Sequence, residues 1–167
     1  MTPISISSSG FGVETGQSLP MAMTAPDQGV IESIAPRKSL FYRSDIQREK
    51  LIAANVTQIV IVLAASPPFH PELLDRCLAA AEHAEIPALL ALNKMDLPAA
   101  PAALKALGGY RELGYDVLPL AAKIDIAPLR ARLAGHVSVL VGQSGMGKST
   151  IINRLLPDAA ARVGELS

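Results

Sequence analysis

The apolar residues are distributed in two regimes. Up to about residue 43 they are scattered among Ser, Gly, Thr and Pro. From Ile59 they gather into short unbroken runs separated by stretches of helical spacing. IVIVLA (59–64), ALLAL (88–92), VLPL (117–120) and VSVLV (137–141) are each of strand length. A strand with one wet face alternates, whereas an unbroken run suits a strand covered on both faces. Between the first two runs, Pro71 opens a stretch to about Glu85 in which Leu73, Leu74, Cys77, Leu78 and Ala81 recur at spacings of three and four. That spacing predicts a helix with proline in its first turn. Further helices are expected from about Ala102 to Leu113, over IAPLRARL (126–133) and over STIINRLL (149–156). Strand and helix alternate four times, which predicts an α/β fold with a parallel sheet wrapped by helices.

The N-terminal regime reads differently. Residues 1–28 hold a single aromatic, Phe11, and are expected to be poorly ordered or only loosely strand-forming. GVIESIAPRKSLFYR (29–43) carries two short β-like runs around Ala35-Pro36, as at the end of a small β-domain. The expected divisions are therefore 1–28, 29–45 and 46–167.

Composition narrows the class. Of 167 residues half are hydrophobic, 4% are aromatic and none is Trp, which disfavours an all-β fold. Formal net charge is zero, so bulk charge gives no pull toward nucleic acid or membrane. The single cysteine, Cys77, excludes an intrachain disulfide and reads as a buried small hydrophobe. His70, His83 and His136 fit no metal-binding spacing. Arg37, Lys38, Arg43, Arg48 and Lys50 form a basic cluster, read as a solvated face or an RNA contact. No apolar run reaches the ~18 residues of a membrane span. The N-terminus lacks the basic start and apolar core of a secretory signal, so a cytoplasmic location is expected.

Chemistry enters at GQSGMGKST (142–150). Gly142, Gln143, Ser144, Gly145, Met146, Gly147, Lys148 and Ser149 match GxxxxGK[ST] at every fixed position, between an expected strand and an expected helix. Glycines let the backbone curl so that its N–H groups face a phosphate, and the helix adds its positive end. Lys148 is expected to bridge the β- and γ-phosphates, Ser149 to ligate Mg²⁺, and the Thr150 N–H to reach the α-phosphate. The bland alternative is a Gly-rich turn that binds nothing.

Asn93-Lys94-Met95-Asp96 follows the second strand. Asp96 could accept hydrogen bonds from guanine N1–H and the 2-amino group, both absent from adenine. Sites of that kind discriminate by about 10⁴. Asn93 would touch the base edge or tie its loop to the phosphate loop, and the stem of Lys94 would lie over the base. Alone, NKMD could equally be a solvated capping loop. A third element, Ala121-Ala122-Lys123, ends the third strand where GTPases commonly carry Ser-Ala-Lys. There the Ala122 N–H would meet guanine O6.

The order of these loops is inverted relative to Ras-like GTPases, in which the phosphate loop comes first. Joining the old ends of a Ras-like sheet and cutting it elsewhere gives this order. The fold expected is a circularly permuted, incomplete P-loop NTPase sheet preceded by a short β remnant.

Together, GVIESIAPRKSLFYR, IAANVTQIVIVLAASPPF, NKMDLP and VGQSGMGKSTIINRLLPDAAARVGELS resemble the RsgA (YjeQ) family of circularly permuted GTPases, over about residues 29–167. The resemblance implies an N-terminal OB-fold, of which 29–43 would be the end, and GTP/GDP and Mg²⁺ as ligands. It also implies the small ribosomal subunit and its rRNA as partners in late subunit maturation. Zinc is implied as well, but its ligands, the switch threonine and a DxxG-type loop would all lie beyond Ser167. The chain therefore reads as a truncated form in which 137–141 is an edge strand. A monomer is expected, with edge-strand association and slow or absent hydrolysis as consequences. The alternatives are an ATP-using P-loop protein and an RNA-binding remnant without turnover.

Overall fold

The structure, a computed structural model, describes residues 21–25, 28–31, Pro36, 40–45 and 48–156. The chain divides into two units, Met1–Thr57 and Gln58–Ser167.

In the first unit β1 (Met21–Ala25) pairs antiparallel with β2 (Gln28–Ile31), and β3 (Leu40–Asp45) with β4 (Arg48–Ala54). The runs expected on either side of Ala35-Pro36 are β2 and β3. β1 falls within 1–28, the stretch expected to be poorly ordered or only loosely strand-forming. β4 opens on Arg48-Glu49-Lys50, which carries no strand pattern, and it lies where the sequence placed the start of the 46–167 segment. In the basic cluster, Arg43 stands opposite Lys50 and Arg48 opposite Asp45 in the β3–β4 ladder. Arg37 and Lys38 lie outside the described residues.

The second unit holds one parallel sheet in the order β7-β6-β5-β8. Its strands are β5 (Gln58–Ala64), β6 (Ala88–Asn93), β7 (Asp116–Pro119) and β8 (Ser138–Val141). Each apolar run of the sequence became one of these strands, with ends shifted by a residue. The continuous runs have a direct cause: every residue of Ile59–Ala64 and of Leu89–Asn93 is buried. β8 is only half-buried along its length and, among the described strands, lies at the edge, as expected for 137–141.

Alternate strand residues feed two layers. Val60, Val62, Ala64, Leu89 and Ala91 pack with Leu129 of α4 (Ala127–Leu133) and Ile151 of α5 (Lys148–Leu155). Ile61 and Leu63 line a small recess together with Leu73, Leu74 and Cys77 of α1 (Pro71–His83). Cys77, expected to be buried, is half-buried, and burial pushes its thiol pKa up.

The helix expected over 102–113 is two helices, α2 (Ala100–Ala106) and α3 (Gly108–Glu112). The break comes at the fully buried Leu107, just before Gly108-Gly109. Each glycine costs a helix interior about 1 kcal/mol relative to alanine. The helix expected to reach Glu85 stops at His83, and Glu85 takes a left-handed φ of 54°.

Candidate functional site

β5, β6 and β7 step outward across the sheet in chain order, and β8 then returns to the other side of β5. Open α/β sheets hold ligands beyond the carboxyl ends of their strands, at such a reversal. Because the four strands are parallel, the loops that leave them all open at this end.

The loop leaving β8 is shaped by contacts that admit only glycine at two places. A Cβ on Gly142 (φ 146°) would lie 2.3 Å from the backbone oxygen of Val62. One on Gly147 (φ 98°) would lie 2.4 Å from Asn93 Nδ2. Between them Met146 drops its side chain into the core, with 2% of its surface exposed, while Ser144 and Gly145 stay exposed. The loop is thus nailed to the sheet at one point and raised around it. Gly147 caps α5, so the first N–H groups of α5 open toward the loop. Lys148 Nζ donates to the carbonyls of Gly142 (2.6 Å) and Gln143 (2.7 Å), across the loop. Burial lowers the pKa of this ammonium. Gln143 Oε1 accepts from the His70 N–H at the start of α1 (3.2 Å). Ser149 is exposed.

The loop leaving β6 is tied to the first by Asn93, which is buried. Its Nδ2 donates to the Met146 carbonyl (3.1 Å) and its Oδ1 accepts from the Ala122 N–H (3.0 Å). A carbonyl on one side and an N–H on the other admit only this amide orientation. Of the two roles expected for Asn93, the structure shows the tie. It also changes the role expected for Ala122. That N–H, expected at guanine O6, is turned to Asn93, because a buried amide side chain needs both of its partners. Lys94 takes a left-handed φ of 62°, and its ammonium donates to the carbonyls of Ser66 (2.6 Å) and Gly145 (2.7 Å). Its stem therefore spans from the loop after β6 to the loop after β8. The Met95 N–H donates to the Leu120 carbonyl (3.1 Å), and Asp96 is exposed.

The loop leaving β7 is a tight turn. The N–H groups of Ile124 and Asp125 both reach the Ala121 carbonyl (2.8 and 2.9 Å). The carbonyls of Ala122, Lys123 and Ile124 accept from Arg154 of α5 (3.3, 3.0 and 3.0 Å). Arg154 and the Ser66-Pro67 segment escaped the sequence reading. Neither belongs to a motif, and Arg154 and Ser66 act through backbone carbonyls, which no residue letter reports.

The loops leaving β6 and β7 and the first turn of α5 line one cavity of about 170 Å³, through Asn93, Lys94, Asp96, Leu97, Lys123 and Thr150. Residues with carboxylate, ammonium and hydroxyl groups line it from three elements widely separated in sequence. A recess of about 10 Å³ between α1 and the phosphate loop is too small for a ligand. Among the described residues no group of His, Cys, Asp and Glu could hold a metal by itself. An Mg²⁺ held by one hydroxyl and phosphate oxygens needs no such group.

A family profile described as RsgA GTPase matches residues 34–167. The chain is 53% identical over 157 residues to the small ribosomal subunit biogenesis GTPase RsgA of Nitrosospira multiformis, covering 93% of this chain and 50% of that protein. It is 51% identical over 160 residues to its counterpart in Nitrosomonas europaea, covering 93% and 51%. The chain thus spans about half the length of the curated relatives it matches. Among solved structures, YjeQ from Thermotoga maritima superposes with a TM-score of 0.69 at 28% identity, over 87% of this chain and 52% of that one. YloQ, described as a circularly permuted GTPase, gives 0.67 at 28%, over 87% and 50%. The inverted loop order is shared with a fold already known to be permuted.

Proposed function

The chain belongs to the RsgA GTPase family, and from that premise we propose that the cavity lined by Asp96 and Thr150 binds guanine nucleotide with Mg²⁺. The proposed activity is GTP hydrolysis in the maturation of the small ribosomal subunit, the role in the names of its relatives. The observation that carries the reading is the Asn93 amide, which joins base loop, phosphate loop and third loop through two hydrogen bonds. A Gly-rich turn that bound nothing would not need that tie. Asp96, exposed in the cavity, reads N1–H and the 2-amino group. The Lys94 stem covers the base, and Lys148 and the α5 N-terminus hold the phosphates. Ser149 is the protein ligand to Mg²⁺, which would offset phosphate charge. The β1–β4 unit is read as the end of an OB-fold, and the protein as a cytoplasmic monomer that contacts rRNA.

Calorimetric titration with GDP and with ADP, each with Mg²⁺, tests this. GDP should bind at least about 10³-fold more tightly than ADP, and Asp96→Ala should remove most of that preference. Equal binding of ADP would mean an ATP-using protein. Binding to small subunits that ignores nucleotide would point to an RNA-binding remnant.

A further inference from the structure

The turn after β7 is gripped from two sides. On one side the Ala122 N–H goes to Asn93, and on the other three successive carbonyls converge on Arg154. The N–H groups of Ile124 and Asp125 are turned inward to Ala121. Of the N–H groups from Ala122 to Asp125, the one left is that of Lys123, in the peptide whose carbonyl belongs to Ala122. A trans peptide directs its N–H opposite to its C=O. With that carbonyl on Arg154 Nε, the Lys123 N–H points away from α5, and Lys123 lines the cavity beside Asp96. Arg154 is itself held in register, since Arg130 of α4 donates to its carbonyl (3.2 Å).

We infer that Arg154 is a positioning residue for base recognition. By holding the carbonyl face of Ala122–Ile124, it presents the Lys123 N–H to the atom at position 6 of the purine. This rests on the guanine reading above and adds to it a donor and the side chain that aims it. A planar guanidinium suits the task, because its fixed fork can serve several carbonyls at once, where an ammonium is a point charge. Arg154 lies on the helix that begins at the phosphate loop. The base donor and the phosphate cradle are therefore braced by one element.

The test compares GDP with 6-thio-GDP, which keeps N1–H and the 2-amino group but carries at position 6 a sulfur, a weak acceptor. The unaltered protein should prefer GDP by about tenfold, the worth of one hydrogen bond. In Arg154→Met the preference should fall to about twofold or less, while 6-thio-GDP affinity changes by no more than about twofold. Arg154→Lys should keep an intermediate preference, and it takes the place of the methionine variant if that one does not fold. Equal loss for both nucleotides would mean that Arg154 only supports the helix, and the inference would fall. It falls alone if the protein prefers GDP to ADP but does not distinguish GDP from 6-thio-GDP. If GDP is not preferred to ADP at all, the guanine reading falls and takes this inference with it.

Discussion

Asn93 is the one buried polar side chain among the described residues, and both ends of its amide are used. Asn93→Ala would leave an N–H and a carbonyl without their partner. At about 1–3 kcal/mol for each orphaned group, the loss should be roughly 2–6 kcal/mol where both stay buried. Urea unfolding with an unchanged slope would show it, and a loss under about 0.5 kcal/mol would mean that water takes over both bonds. Gly147→Ala should lower GDP affinity by about tenfold or more, because the new methyl group would displace the Asn93 amide and strain a positive φ. Titration of that variant reads the loss, and wild-type affinity would show that the loop tolerates the shift. At this scale the letters carried much of the site. GxxxxGKS demands the loop geometry found, and the Asn93 tie was one of two roles open from the sequence. The partner of the Ala122 N–H was not legible, because it depends on which neighbour the fold brings to a backbone group. Arg154 left no trace for the same reason.

Helices were legible where spacing was periodic and punctuated, as in α1 behind Pro71. They were misjoined where the punctuation was a glycine pair inside an apolar pattern, at Gly108-Gly109. What holds α3 is also a matter of element pairs. Tyr110 donates to Asp75 of α1 (2.7 Å), and Tyr115, just beyond α3, donates to Glu82 of α1 (3.3 Å). Desolvation first, then the hydrogen bond and the negative charge of Asp75, push the Tyr110 phenol from its ordinary 10 up to about 12. In that interval the folded protein keeps a proton that the unfolded chain releases. The stabilisation is complete below pH 10 and is lost as pH climbs toward about 12. Tyr110→Phe should therefore flatten the alkaline decline of the urea midpoint relative to the unaltered protein. Parallel declines in the two proteins would show that the phenol is screened by solvent.

For the second unit as a whole, the sheet order divides the strands by cover. β5 and β6 are flanked on both sides, whereas β7 and β8 lie at the rims of the described sheet. Amide hydrogen exchange should be slowest in β5 and β6 and faster in β8, although β8 leads into the phosphate loop. Uniform protection would mean that the edge of β8 is covered. The order of the loops along the chain has a further effect, on how the protein is made. Asn93 and Met146 are separated by 53 residues. At about 5–20 residues per second, a ribosome delivers Met146 several seconds or more after Asn93. During that interval β5, β6 and β7 can already stand side by side, but the Asn93 amide has no carbonyl to meet. The half of the crevice proposed for guanine is therefore synthesised first, as a waiting surface. On the proposed reading the site is complete only once β8 stands beside β5, and translation would time the first binding event.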